Sequence, residues 1–133
     1  MADKGGDRIM ELKNRSQYLD KLISVQDMEV IKVVTGIRRC GKSSLLKLMM
    51  AHLREQGVME EQILSMNFES MQFADMDSKS LYQYVMERAP KGKRLYLFLD
   101  EVQKVRDWQD AVNSFRVDLD CDIYVTGSNS RML

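Results

Sequence analysis

Residues 36 to 43 read Gly-Ile-Arg-Arg-Cys-Gly-Lys-Ser, a complete G-x-x-x-x-G-K-[ST] pattern. It constrains the fold through its flanks. The apolar run Val30-Ile31-Lys32-Val33-Val34-Thr35 enters it as a strand, and Leu45, Leu46, Met49 and Leu53 leave it at helical spacing, up to a stop at Gly57. A strand, a glycine-bearing turn and a helix start together form a cradle for polyphosphate. Glycines at 36 and 41 let the backbone wrap closely where a side chain would collide. Successive N–H groups then point inward, and the helix start adds unpaired donors and a partial positive charge. Gly36, Ile37, Arg38, Arg39, Cys40, Gly41, Lys42, Ser43 and Ser44 are therefore expected to line the phosphates. Lys42 should reach the β and γ phosphates, and Ser43 should set its hydroxyl on magnesium.

A second signature follows, Leu95-Tyr96-Leu97-Phe98-Leu99-Asp100-Glu101. A carboxylate at the carboxyl end of an apolar strand suits magnesium, so Asp100 is expected beside Ser43. Glu101 is placed to polarise an attacking water, which favours hydrolysis over transfer to another acceptor. A further strand runs into Thr126-Gly127-Ser128-Asn129-Ser130, where Ser128 or Asn129 would hold the γ phosphate or the water, with a plain turn as the alternative. Asn67-Phe68-Glu69 should occupy the same rim of the sheet. His52 and Arg116 read as structural and surface residues.

The remaining elements follow from periodicity. A helix is expected over 10–23, with strands over 30–35, 63–68, 95–99 and 122–126. Asp77 or Ser78 should cap a helix carrying Leu81, Tyr84 and Val85, which Pro90 and Gly92 end. Trp108, Ala111, Val112, Phe115 and Leu119 form an amphipathic stripe with Asp107 as its cap. The order predicts an α/β fold with parallel strands and right-handed crossovers.

With 133 residues and 44% apolar composition, one domain is the natural reading. Its 20 basic and 20 acidic side chains cancel, so no global field recruits nucleic acid or an acidic membrane. Cys40 and Cys121 lack metal-ligand spacing and fit a reducing, cytoplasmic setting. No apolar stretch approaches the roughly 20 residues that span a bilayer.

The assembled motifs resemble those of prokaryotic ATPases of the AAA superfamily whose ATPase domain precedes a nuclease-like domain. The likeness rests on Arg15 with Tyr18-Leu19-Asp20, on the run from Val33 to Leu46, and on Asn67-Phe68-Glu69. It continues through Tyr96 to Gln103, Trp108, Val112 to Arg116 and Ile123 to Ser130. The resemblance implies a P-loop NTPase with an AAA-type sheet ordered 5-1-4-3-2, ATP and Mg2+ as ligands, a sensor at Ser128 or Asn129, and an amino-terminal helix framing the adenine. The polar, glycine-containing residues 1–9 read as a disordered tail or a remnant of processing, and 10–133 as a partial ATPase domain. The fifth strand, helical lid and carboxyl-terminal partner domain would be absent, and homo-oligomers are possible partners. Competing readings are a nucleotide-dependent regulatory or DNA-associated module without turnover and a P-loop small-molecule kinase.

Overall fold

The computed structural model describes residues 17–35 and 41–128. A helical segment over 17–24 (α1) precedes β1 (Lys32–Val34). Then follow α2 (Gly41–Glu55), β2 (Ile63–Asn67), α3 (Ser78–Arg88), β3 (Leu95–Asp100), α4 (Trp108–Asp118) and β4 (Cys121–Thr126). The four strands pair in the order β1-β4-β3-β2, all parallel. This is the expected order for the strands described. The earlier part of the expected 10–23 helix lies outside the described residues.

Strand parity sorts the side chains into two cores. Leu95, Leu97 and Leu99 of β3, with Ile123 and Val125 of β4, join Leu81, Val85, Trp108, Val112 and Phe115 from α3 and α4. Tyr96, Phe98 and Tyr124 face the other way, against Leu45, Leu46, Met49 and Leu53 of α2 and Leu22 of α1. Helices therefore cover both faces, and all six residues of β3 are buried, as expected for a central parallel strand. On the α2 side the rings of Phe98 and Tyr124 stack with centroids 4.7 Å apart.

Local signals set most element ends. After α2, Gly57 adopts φ +95°, Gly57 N–H donates to Arg54 O and Val58 N–H donates to Leu53 O. That bond pair is a Schellman motif, which needs a left-handed residue and so favours glycine. Asp77 caps α3, accepting from Ser80 N at 2.9 Å while Ser80 Oγ accepts from Asp77 N at 3.0 Å. Asp107 corrects the sequence reading. It precedes α4, but its backbone is left-handed (φ 57°, ψ 36°) and its side chain makes no capping bond. α4 is held instead by its stripe, with Trp108, Ala111, Val112 and Phe115 buried.

Parity has one polar consequence at the amino end of the sheet. Lys32 of β1 and Asp122 of β4 both point to the α2 face and form a buried ion pair, with side chains 2% and 0% exposed. Lys32 Nζ also donates to Met28 O at 2.7 Å, while Asp122 accepts from Asp27 N at 3.0 Å and Tyr124 Oη at 2.6 Å. Both charges thus have polar partners beyond one another, which a buried charge requires. Burial, then the bond to Asp122, raises the Tyr124 hydroxyl pKa far above its ordinary range. Among the described residues no helix is long and apolar enough to cross a membrane.

Candidate functional site

In a parallel sheet every strand delivers its carboxyl end to one rim, where open α/β sheets form ligand crevices. β3 brings Asp100 to that rim, β4 brings Thr126, and the start of α2 brings Lys42 and Ser43. Asp100 and Thr126 share the α2 face because each lies an even number of residues from Phe98 and Tyr124.

Asp100 is 6% exposed. One of its oxygens accepts from Ser43 Oγ and the other from Thr126 Oγ1. Thr126 Oγ1 in turn accepts from Glu101 N at 2.9 Å. Glu101 has a left-handed backbone (φ 57°, ψ 48°), uncommon for a residue with a Cβ. The turn ends β3 abruptly.

The Glu101 carboxylate is held on all sides. Oε1 accepts from Gln103 Nε2 at 2.8 Å, and Ser128 Oγ lies 2.9 and 3.1 Å from the two oxygens. Lys42 Nζ stands 3.7 Å from Oε2. Burial pushes the carboxyl pKa up, but the bonds from Gln103 and Ser128 and the charge of Lys42 outweigh it, so the group is held below its ordinary value. Lys42 is itself buried, donating to Gly127 O at 3.1 Å and Ser128 Oγ at 3.0 Å. Ser128 therefore sits between the ammonium and the carboxylate, accepting from one and donating to the other.

Lys42, Ser43, Asp100, Glu101 and Ser128 thus meet at one rim. Gly41 and Ser44 lie in the first turn of α2 with them. Gly36, Ile37, Arg38, Arg39, Cys40 and Asn129 lie outside the described residues. Asn67 pairs in register with Asp100, but its side chain is exposed and accepts from Glu69 N at 3.0 Å, making no bond to the cluster. His52 is part-buried within α2, and Arg116 is exposed, donating to Glu29 O at 3.1 Å. Sequence reasoning assigned no role to Thr126 or Gln103. Strand parity could have revealed Thr126; nothing local singles out Gln103.

Oxygen donors around a buried aspartate suit a hard cation such as magnesium. Among the described residues no three His, Cys, Asp or Glu side chains group to hold a metal unaided. A cavity of about 380 Å³ opens at the other end of the sheet, lined by Val30, Ile31, Arg116, Leu119, Cys121 and Ile123. None of the signature residues lines it.

No solved structure matches the chain. An uncharacterised protein of Haemophilus influenzae is 40% identical over 122 residues, covering 90% of this chain and 30% of that protein. The chain thus spans less than a third of the length of the relative it matches. The model of the AAA domain matches residues 29–133, a span that takes in the strand entering the glycine-bearing turn, Asp100 and Ser128 at the rim, and all four strands. With that match over most of its length and the four-stranded 1-4-3-2 parallel sheet beneath it, the chain belongs to the AAA domain family.

Proposed function

We propose that this chain binds ATP with magnesium and that the complete protein hydrolyses it to ADP and phosphate. The convergence of Lys42, Ser43, Asp100 and Glu101 on one rim, sealed by the Ser43–Asp100 hydrogen bond, carries the reading. Family membership supports ATP as the nucleotide.

Each residue has a distinct task. Lys42, beside Glu101 and Ser128, binds the β and γ phosphates, where its charge offsets that developing on the transferred group. Ser43 and Asp100 would hold magnesium, which screens phosphate charge when bound. Ser128 sits where it can hold the γ phosphate or the water, with Asn129 beside it in sequence. Glu101 takes a proton from water as the water oxygen bonds to the γ phosphorus. The bond from that phosphorus to the β–γ bridging oxygen breaks, and ADP departs with the electron pair. Gly36, Ile37, Arg38, Arg39, Cys40, Gly41 and Ser44 supply backbone donors around the phosphates.

Glu101 and the phosphates compete for Lys42, so triphosphate binding frees the base it needs. The cycle would drive an attached domain, nuclease-like by resemblance. The relative's length, of which the match covers 30%, leaves room for one. Assembly with further copies and a cytoplasmic setting belong to the same proposal.

Calorimetric titration with ATP·Mg tests binding. Lys42→Ala should weaken it by tenfold or more, the scale of a lost charge-assisted hydrogen bond of about 1.5–3 kcal/mol. Glu101→Gln should cut phosphate release by about a hundredfold, yet bind nucleotide as well or better, because it removes the rival for Lys42. Equal binding by Lys42→Ala, or undiminished turnover by Glu101→Gln, would refute the reading.

A further inference from the structure

Gln103 follows Glu101 by two residues, in the short turn Val102–Lys104 after β3. A carboxylate only accepts, so the nitrogen end of the Gln103 amide must face it, as the 2.8 Å contact shows. That orientation leaves the amide carbonyl buried, with no partner among the described residues. Unpaired buried acceptors are uncommon and disfavour the conformation that holds them. The Gln103 amide thus commits its nitrogen end to Glu101.

The contacts on Glu101 divide into two kinds. Lys42 and Ser128 come from other elements and face the rim that phosphates would occupy. Gln103 comes from the same turn as Glu101 and donates to Oε1, which Ser128 Oγ also contacts at 2.9 Å, while Lys42 stands nearest Oε2.

We propose that Gln103 is the positioning residue for Glu101: it keeps hold of Oε1 when a triphosphate draws off Lys42 and Ser128, leaving Oε2 aimed at the attacking water. This rests on the hydrolytic reading above. A carboxylate on a left-handed turn, stripped of its other partners, would sample several rotamers. One retained hydrogen bond selects the productive one, and small errors in placing a base are costly in rate. Gln103 touches neither nucleotide nor water; it acts through Glu101.

The test compares Gln103→Leu and Gln103→Asn with the wild type in the complete protein. Gln103→Leu should lower kcat by tenfold or more, with KM for ATP within twofold and thermal stability unchanged. A stability role would instead lower Tm and leave the ratio of kcat to KM effects undirected. Gln103→Asn, one methylene too short to reach, should behave like Gln103→Leu. A second readout needs no turnover: the Gln103 side-chain amide resonances should keep their hydrogen-bonded shift when the non-hydrolysable AMP-PNP·Mg binds. A kcat within twofold of wild type, or an amide that moves to its free position on AMP-PNP binding, overturns the assignment. Failure of the wild type to bind nucleotide overturns the functional reading itself, and this assignment with it.

Discussion

Ser43 donates a hydrogen bond to Asp100 across 57 residues of sequence, joining the first turn of α2 to the last residue of β3. The contact links the two signatures of the chain. It occurs because a parallel sheet brings strand ends and following helix starts to the same rim.

Magnesium dependence should report this contact. Ser43→Ala and Asp100→Asn are each expected to remove most of the difference between ATP binding with magnesium and with EDTA. Metal-free nucleotide binding, which relies on Lys42 and backbone donors, should change by less than about threefold. Titrations with and without EDTA measure both. A full magnesium effect in both variants would separate the Ser43–Asp100 contact from any metal role.

At the opposite end of the sheet, Lys32 and Asp122 form a buried pair that serves stability. Lys32→Met strands a buried carboxylate and should cost about 3–5 kcal/mol in urea unfolding. Adding Asp122→Leu should recover part of that loss, because no lone charge remains. Recovery stays incomplete: the Asp27 N–H and Tyr124 hydroxyl lose their acceptor. ATP·Mg affinity should be preserved, since this pair lies away from the rim. A single variant as stable as wild type would show that water reaches the pair.

Cys121 should be a sluggish thiol. Burial raises its pKa from 9.0 to about 11, so the reactive thiolate is rarer in the folded state. In a Cys40→Ser background, alkylation at pH 8 should run at least tenfold slower in the folded protein than in urea. The sign for stability follows. The folded state keeps the proton more tightly, so this contribution is full below pH 9 and is lost as pH rises toward about 11. Native and unfolded rates that coincide would show the thiol to be freely exposed.

Periodicity located the four strands and the helices that follow them to within a residue or two, since alternation and 3.6-residue spacing are written locally. β3 illustrates it: an unbroken apolar run became the central strand, gaining only Asp100 beyond the expected 95–99. Gly57 and Asp77 ended and began their helices for equally local reasons. Lys42, Ser43, Asp100, Glu101 and Ser128 could be nominated because strand-end acids and a glycine-bearing turn have few other uses together.

Asp107 shows where local chemistry stops. An aspartate before an amphipathic stripe reads as a cap, but its backbone is left-handed and its side chain makes no capping bond.

Chain order alone carried the helices, the strands and the nominees, because those depend on neighbours within a few positions. Pairing register and packing settled everything that links distant positions. Lys32 in an apolar run became half of a buried ion pair only because β1 lies beside β4. Thr126 became a partner of Asp100 through strand parity across a shared edge. Contacts of that kind depend on three-dimensional closure, and no window of sequence contains them.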